Sequence, residues 1–157
     1  IGKVDSLERV HEIACLVRRL AEEVSAYATN VANVVPLGVF PRGWCQDSSR
    51  VLGKLLADGG EHGFKLVTGL RGAHLEKSHV WLERHGLIVD ITADQFECEI
   101  KESVIVTDNS SWHEGWQQQI QDLGELGSSG IEWTLYDALS NHPEWRAWAT
   151  ATVGQPT

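Results

Sequence analysis

Three side chains in the order Cys45, His79 and Asp90 could carry covalent chemistry in this chain. A thiol attacks a carbonyl as thiolate, and a helix N-terminus plus a nearby imidazolium are two usual ways to bring a cysteine from about 8.5 into the neutral range. Cys45 stands just before a stretch of helical periodicity, while His79 and Asp90 fall on two successive strand-like runs. In that arrangement Cys45 is a nucleophile, His79 its general base and Asp90 the group that orients the imidazole. The backbone N–H of Cys45 would face a developing oxyanion. The second oxyanion donor stays open among Gln46, Gln95 and the Trp44 ring, and Trp81 could wall a substrate channel. Taken singly, each residue has a plainer reading: a small buried hydrophobe, a strand histidine with a satisfied ring, a turn carboxylate.

What joins two of the three is a hairpin register. His85-Gly86 reads as a two-residue turn, so opposed positions sum to 171: Arg84 faces Leu87, Leu82 faces Val89, Val80 faces Ile91 and His79 faces Thr92. One face of the ribbon is then Val80, Leu82, Val89 and Ile91, wholly apolar. The other carries His79, Trp81, Ile88, Asp90 and Thr92, with His79 diagonal to Asp90 and within side-chain reach. Asp94 is the rival orienter; the same register sets it opposite Lys77 on the His79 side, where it could cap or bind substrate.

The positioning elements follow from apolar spacing. Leu7, Val10, Ile13, Ala14, Val17, Leu20, Ala21 and Val24 recur at three- and four-residue steps, which predicts a helix from Asp5 to about Tyr27, capped by Asp5 or Ser6. His11 and Cys15 lie on or beside its packing stripe. Residues 28 to 44 read as a second short helix or turn followed by an irregular lead-in, punctuated by Pro36, Gly38, Pro41 and Gly43 and anchored by Val34, Val35, Val39 and Phe40. From about Asp47 a helix turns Val51, Leu52, Leu55 and Leu56 inward and ends at Gly59-Gly60. Strands are expected over 63–69, from near Leu75, and over 103–107; short helices are expected within 111–122 and 133–150, the second restarting at Pro143. Residues 153–157 should fray.

One globular domain fits 157 residues: a helical part over 1–39, a catalytic core over 40–108 and a tryptophan-rich helical tail over 109–157. A net charge of −9 argues against nucleic acid or an anionic membrane as the main partner. Cys15, Cys45 and Cys98 are odd in number and widely spaced, which suits neither a disulfide framework nor a paired-cysteine zinc site and points to a reducing, cytoplasmic setting. No apolar run approaches the about 20 residues needed to span a bilayer, and no signal-peptide pattern opens the chain. The first residue is Ile, which allows a trimmed piece of a longer protein; the catalytic part of a secreted effector is the second alternative to the cytoplasmic setting. Nothing in the spacing of His62, His74 and His113 selects a metal site with His79 and Asp90, and no cofactor is expected.

The strings Gly-Trp-Cys-Gln-Asp-Ser-Ser at 43–49, His-Val-Trp-Leu-Glu at 79–83 and Val-Asp-Ile-Thr at 89–92 are similar to the motif blocks of the transglutaminase-like branch of the papain-like cysteine enzymes. The resemblance covers about residues 40–96. It implies an α+β fold with the cysteine-bearing helix packed on an antiparallel sheet, and amide or thioester chemistry through an acyl-enzyme on Cys45. Peptidases of that superfamily bring an oxyanion glutamine from a few residues before the cysteine, where this chain has Asn33 and no Gln. There is no acidic cluster that would call for calcium. The expected activity is a thiol-dependent hydrolase or acyl transferase, a peptidase or glutamine deamidase, acting on a peptide or protein substrate. The rival from another class is a non-catalytic interaction module that keeps the fold and uses the tryptophan-rich tail as its contact surface.

Overall fold

The computed structural model describes residues 5–32, 39–127 and 130–153. They form a mixed α+β structure: helices α1 (Ser6–Ala32), α2 (Cys45–Asp58), α3 (Ser111–Glu114), α4 (Ile131–Ser140) and α5 (Pro143–Val153), and strands β1 (Lys65–Arg71), β2 (Lys77–Arg84), β3 (Leu87–Asp90), β4 (Ile105–Thr107) and β5 (Gln117–Asp122). The strands make one antiparallel sheet in the order β4-β3-β2-β1-β5. The β2–β3 turn has positive φ at both His85 (48°) and Gly86 (81°), the pattern of the primed two-residue turns that suit a right-twisted ribbon.

The hairpin pairs Arg84 with Leu87, Glu83 with Ile88 and Leu82 with Val89, each sum being the expected 171. The ladder stops there. Beyond Val89 the chain pairs on its other side, Asp90 with Ile105, and then turns, so the expected Val80–Ile91 and His79–Thr92 pairs do not form. The division of faces survives. Val80, Leu82, Val89 and Ile91 all join the core built with Val10, Ile13, Val17 and Leu20 of α1 and Val51, Leu52, Leu55 and Leu56 of α2. Each such side chain taken fully out of water stabilises the fold by about 1.5–3 kcal/mol. The opposite face packs Trp81, Ile88, Val67 and Trp116 into a second cluster with Phe96 and Trp112.

Several expectations need correction. α1 runs on to Ala32, past the expected end near Tyr27, and Leu7 at its start is half exposed rather than inward. His11 is exposed and Cys15 half-buried, so this pair borders the packing stripe without entering it. Val39 is exposed and Phe40 packs on the core; Val34, Val35, Pro36 and Asn33 lie outside the described residues, as do residues 154–157. The short helix expected within 111–122 is present as Ser111–Glu114, but Gln117–Asp122 is an unexpected edge strand beside β1. Its pairing with β1 supplies backbone hydrogen bonds that a polar Gln-rich sequence does not announce.

Candidate active site

Cys45 is the first residue of α2, and the residue before it, Trp44, makes no side-chain cap bond. An indole cannot accept a hydrogen bond, so the first-turn N–H groups keep no side-chain acceptor from the cap position, and the positive end of the helix dipole lies at the thiol. The helix is held against β2 at this end: Ser49 Oγ donates to the carbonyl of Val80 at 3.3 Å, and Ser48 and Ser49 are both buried. Val80 follows His79. The contact therefore sets the first turn of α2 beside the strand that carries His79.

His79 and Asp90 meet as the register predicts. Nε2–H of His79 donates to Asp90 Oδ2 at 2.7 Å, with both side chains at 0% exposure. Burial opposes a charged ring, but the Asp90 carboxylate, through charge and hydrogen bond, and then Cys45, acting the same way, lift His79 from 6.5 to about 9. Burial likewise favours a neutral Asp90, yet the charge of His79 and the hydrogen bonds from His113 and His79 hold its carboxyl well below the usual range. The other oxygen, Oδ1, accepts the Thr92 N–H at 3.0 Å. The second ring nitrogen of His79, Nδ1, meets the Gln95 side-chain amide at 2.8 Å. The bond formed at Nδ1 is to Gln95, and Cys45 is the lesser influence on the ring after Asp90.

His113 is a site residue that the strand pattern did not select. Its Nε2–H donates to the same Asp90 oxygen at 2.8 Å, and its Nδ1 lies 2.6 Å from Ser110 Oγ. Ser110 caps α3 by accepting the His113 N–H, which leaves its own hydrogen for the ring. The one available signal was Ser110 three residues before His113, an N-cap spacing, which carries no hint of Asp90. Around this network stand four rings: Phe96, Trp112, Trp81 and Trp116, with centroids 5.2, 5.6, 5.7 and 6.0 Å from that of His79. Arg71 lies over Trp116 at 4.1 Å and pairs with Glu99, which also accepts from Trp112 Nε1. These rings enclose His79 on the side away from α2.

The remaining candidates separate. Gln95 joins the site. Trp44 has its ring in the helix-side core, 5.8 Å from Phe40, and Gln46 is exposed on the first turn of α2. Trp81 is fully buried, edge-on to His113 at 4.8 Å, and backs the histidines instead of lining a channel. Asp94 is not an orienter: because the β2–β3 ladder ends at Val89, the later Ala93–Gln95 segment is free to form a 3-10 turn, and Asp94 binds Arg18 of α1 through two hydrogen bonds of 2.6 and 2.8 Å. Arg18 also donates to the carbonyls of Ile91 and Ser103, at 2.7 and 3.2 Å. This buried guanidinium pins the segment that carries Thr92 and Gln95.

His62 and His74 do not join His79, Asp90 and His113 in a metal-ligand grouping; among the described residues that spacing is met by Glu23, His142 and Glu144, of which Glu144 is already paired with Arg19. No described helix is long and apolar enough to cross a membrane. In comparisons with known proteins, no family model, curated protein or solved structure matches this chain.

Proposed function

We propose that this protein is a thiol-dependent amide hydrolase or acyl transferase that works through an acyl-enzyme on Cys45, on the plan of the transglutaminase-like branch of the papain-like cysteine enzymes. The observation that carries the reading is the fully buried His79–Asp90 pair at 2.7 Å, set beside a helix that begins at Cys45. A buried charge pair is expensive to assemble, and a site whose neighbours hold an imidazolium next to a thiol matches the needs of a nucleophile and its base.

In the proposed cycle the Cys45 sulfur forms a bond to the substrate carbonyl carbon and the π pair moves onto oxygen, next to the first-turn N–H groups of α2. The intermediate collapses as the carbon–nitrogen bond breaks, and the leaving amine takes the proton from His79 Nδ1. Water, or an acceptor amine, then attacks the thioester while Nδ1 accepts its proton, and the carbon–sulfur bond breaks to return the Cys45 thiolate beside the protonated ring. Asp90 keeps Nε2 protonated throughout, so Nδ1 does the proton transfer. The substrate class is a peptide, a protein or a glutamine side chain, and three free cysteines suit a reducing, cytoplasmic compartment.

Incubation with p-nitrophenyl acetate followed by peptide mass spectrometry tests this. The acetyl group is expected on Cys45, and His79→Ala should remove it. Acetylation spread evenly over Cys15, Cys45 and Cys98 would overturn the reading. A Cys45→Ala trap, challenged with peptide libraries, then identifies the acyl donor.

A further inference from the structure

Gln95 occupies the place where two requirements of the site compete. Nε2 of His79 is committed to Asp90, so Nδ1 is the nitrogen through which the ring must serve the thiol, and Nδ1 is held by the Gln95 amide at 2.8 Å. The Gln95 backbone is fixed, its N–H bonded to the Thr92 carbonyl at 3.1 Å and the adjacent Asp94 clamped by Arg18. Only side-chain torsions can therefore change what the amide faces. With the ring charged, Nδ1–H donates and the amide presents its oxygen; with the ring neutral, the amide NH2 donates to the Nδ1 lone pair.

Attack by Cys45 places a negative oxygen at the N-terminus of α2, and such an oxygen is best served by a second donor besides the backbone. The Trp44 ring lies in the helix-side core and Gln46 is exposed, whereas the Gln95 amide already stands at the reacting nitrogen. We propose that Gln95 is both a resting latch on His79 Nδ1 and the second oxyanion donor, its amide leaving the ring for the substrate oxygen as Cys45 attacks. This rests on the acyl-transfer reading of the site. It also explains how the chain manages without a glutamine ahead of its cysteine. The latch shares Nδ1 with the thiol at rest, and an arriving carbonyl draws the amide away from the ring.

Two reactions of Cys45 separate these roles. Acetylation by p-nitrophenyl acetate forms the carbon–sulfur bond and expels nitrophenolate through a tetrahedral oxyanion; alkylation by iodoacetamide forms a carbon–sulfur bond and expels iodide with no oxyanion. Gln95→Ala is expected to slow acetylation about 100-fold, the usual loss for one oxyanion donor, and to speed alkylation because Nδ1 is released to the thiol. Gln95→Glu keeps the size and the ring contact but not the amide N–H, so acetylation should fall as far with no gain in alkylation. Acetylation by the alanine variant at the wild-type rate overturns the proposal. So do both rates falling by one common factor, which marks a merely structural role. In either case a wild type that acetylates at Cys45 leaves the acyl-transfer reading standing. A wild type that does not acetylate, and alkylates at Cys45 no faster than at exposed Cys98, overturns that reading and the role of Gln95 together.

Discussion

The two faces of the β2–β3 hairpin come from alternate residues of the same strands and bury different things. The face toward α1 and α2 holds Val80, Leu82, Val89 and Ile91, aliphatic side chains meeting aliphatic side chains. The face toward α3 holds Trp81 and Ile88 and, with them, His79, Asp90, Thr92 and His113, every one buried. On this second face the indole N–H groups of Trp81 and Trp116 and the hydroxyl of Thr92 are buried without hydrogen-bond partners among the described residues. Each such group costs about 1–3 kcal/mol. A face selected for stability alone would hold hydrocarbon. The difference teaches that the sheet draws its stability from one side and spends part of it on the other, where excluding water strengthens the hold of Asp90 on His79.

The largest expected effect comes from removing the charge that organises the costly face. Asp90→Ala strips the acceptor from His79, His113 and the Thr92 N–H at once and should lower stability by about 3–5 kcal/mol in urea unfolding, the cost of breaking a buried pair. The folded variant should also lose the special reactivity of Cys45. Leu82→Ala on the other face should cost a comparable ~2–5 kcal/mol yet leave that reactivity intact. If the two variants lose reactivity alike, the division between faces fails.

Smaller still is Gly69→Ala. Gly69 is paired with His79 across β1 and β2, and an added Cβ would stand 2.8 Å from Trp116 Cβ and from Cζ3 and Cη2 of Trp81. The expected loss is about 1–3 kcal/mol, with a changed tryptophan near-UV circular dichroism. An unchanged spectrum would mean that the aromatic layer is not packed as described.

The last perturbation, pH, leaves the sequence unchanged. His79 is raised from 6.5 to about 9, so its stabilising contribution is complete below pH 6.5 and is lost as pH rises through about 9. One proton limits the slope to about 1.4 kcal/mol per pH unit. Urea midpoints of wild type should fall across that window, and Asp90→Asn should flatten the fall. A midpoint that rises with pH there contradicts the assignment.

How much of this was legible in the sequence depends on the range of the signal. The hairpin register, the two faces and the His79–Asp90 contact follow from a two-residue turn and period-two alternation, which act locally. The inward residues of α2 and its stop at Gly59 are legible for the same reason. Strand β5 was not, since Gln117 to Gln119 and Gln121 surround a lone Ile120, and its strand state is imposed by pairing with β1. His113 and Arg18 were hidden because both act across the fold, on Asp90 twenty-three residues away and on Asp94 seventy-six residues away. Asp94 was misplaced by continuing the β2–β3 ladder, which ends at Val89.

The central claim is that His79, held by Asp90, activates Cys45. The most direct measurement is the rate of iodoacetamide alkylation of Cys45 at neutral pH, with exposed Cys98 in the same molecule as internal standard, in wild type and in His79→Ala. The account predicts that Cys45 reacts faster than Cys98 in wild type and loses that lead in the variant. Equal rates at the two cysteines, unchanged when His79 is removed, would contradict it.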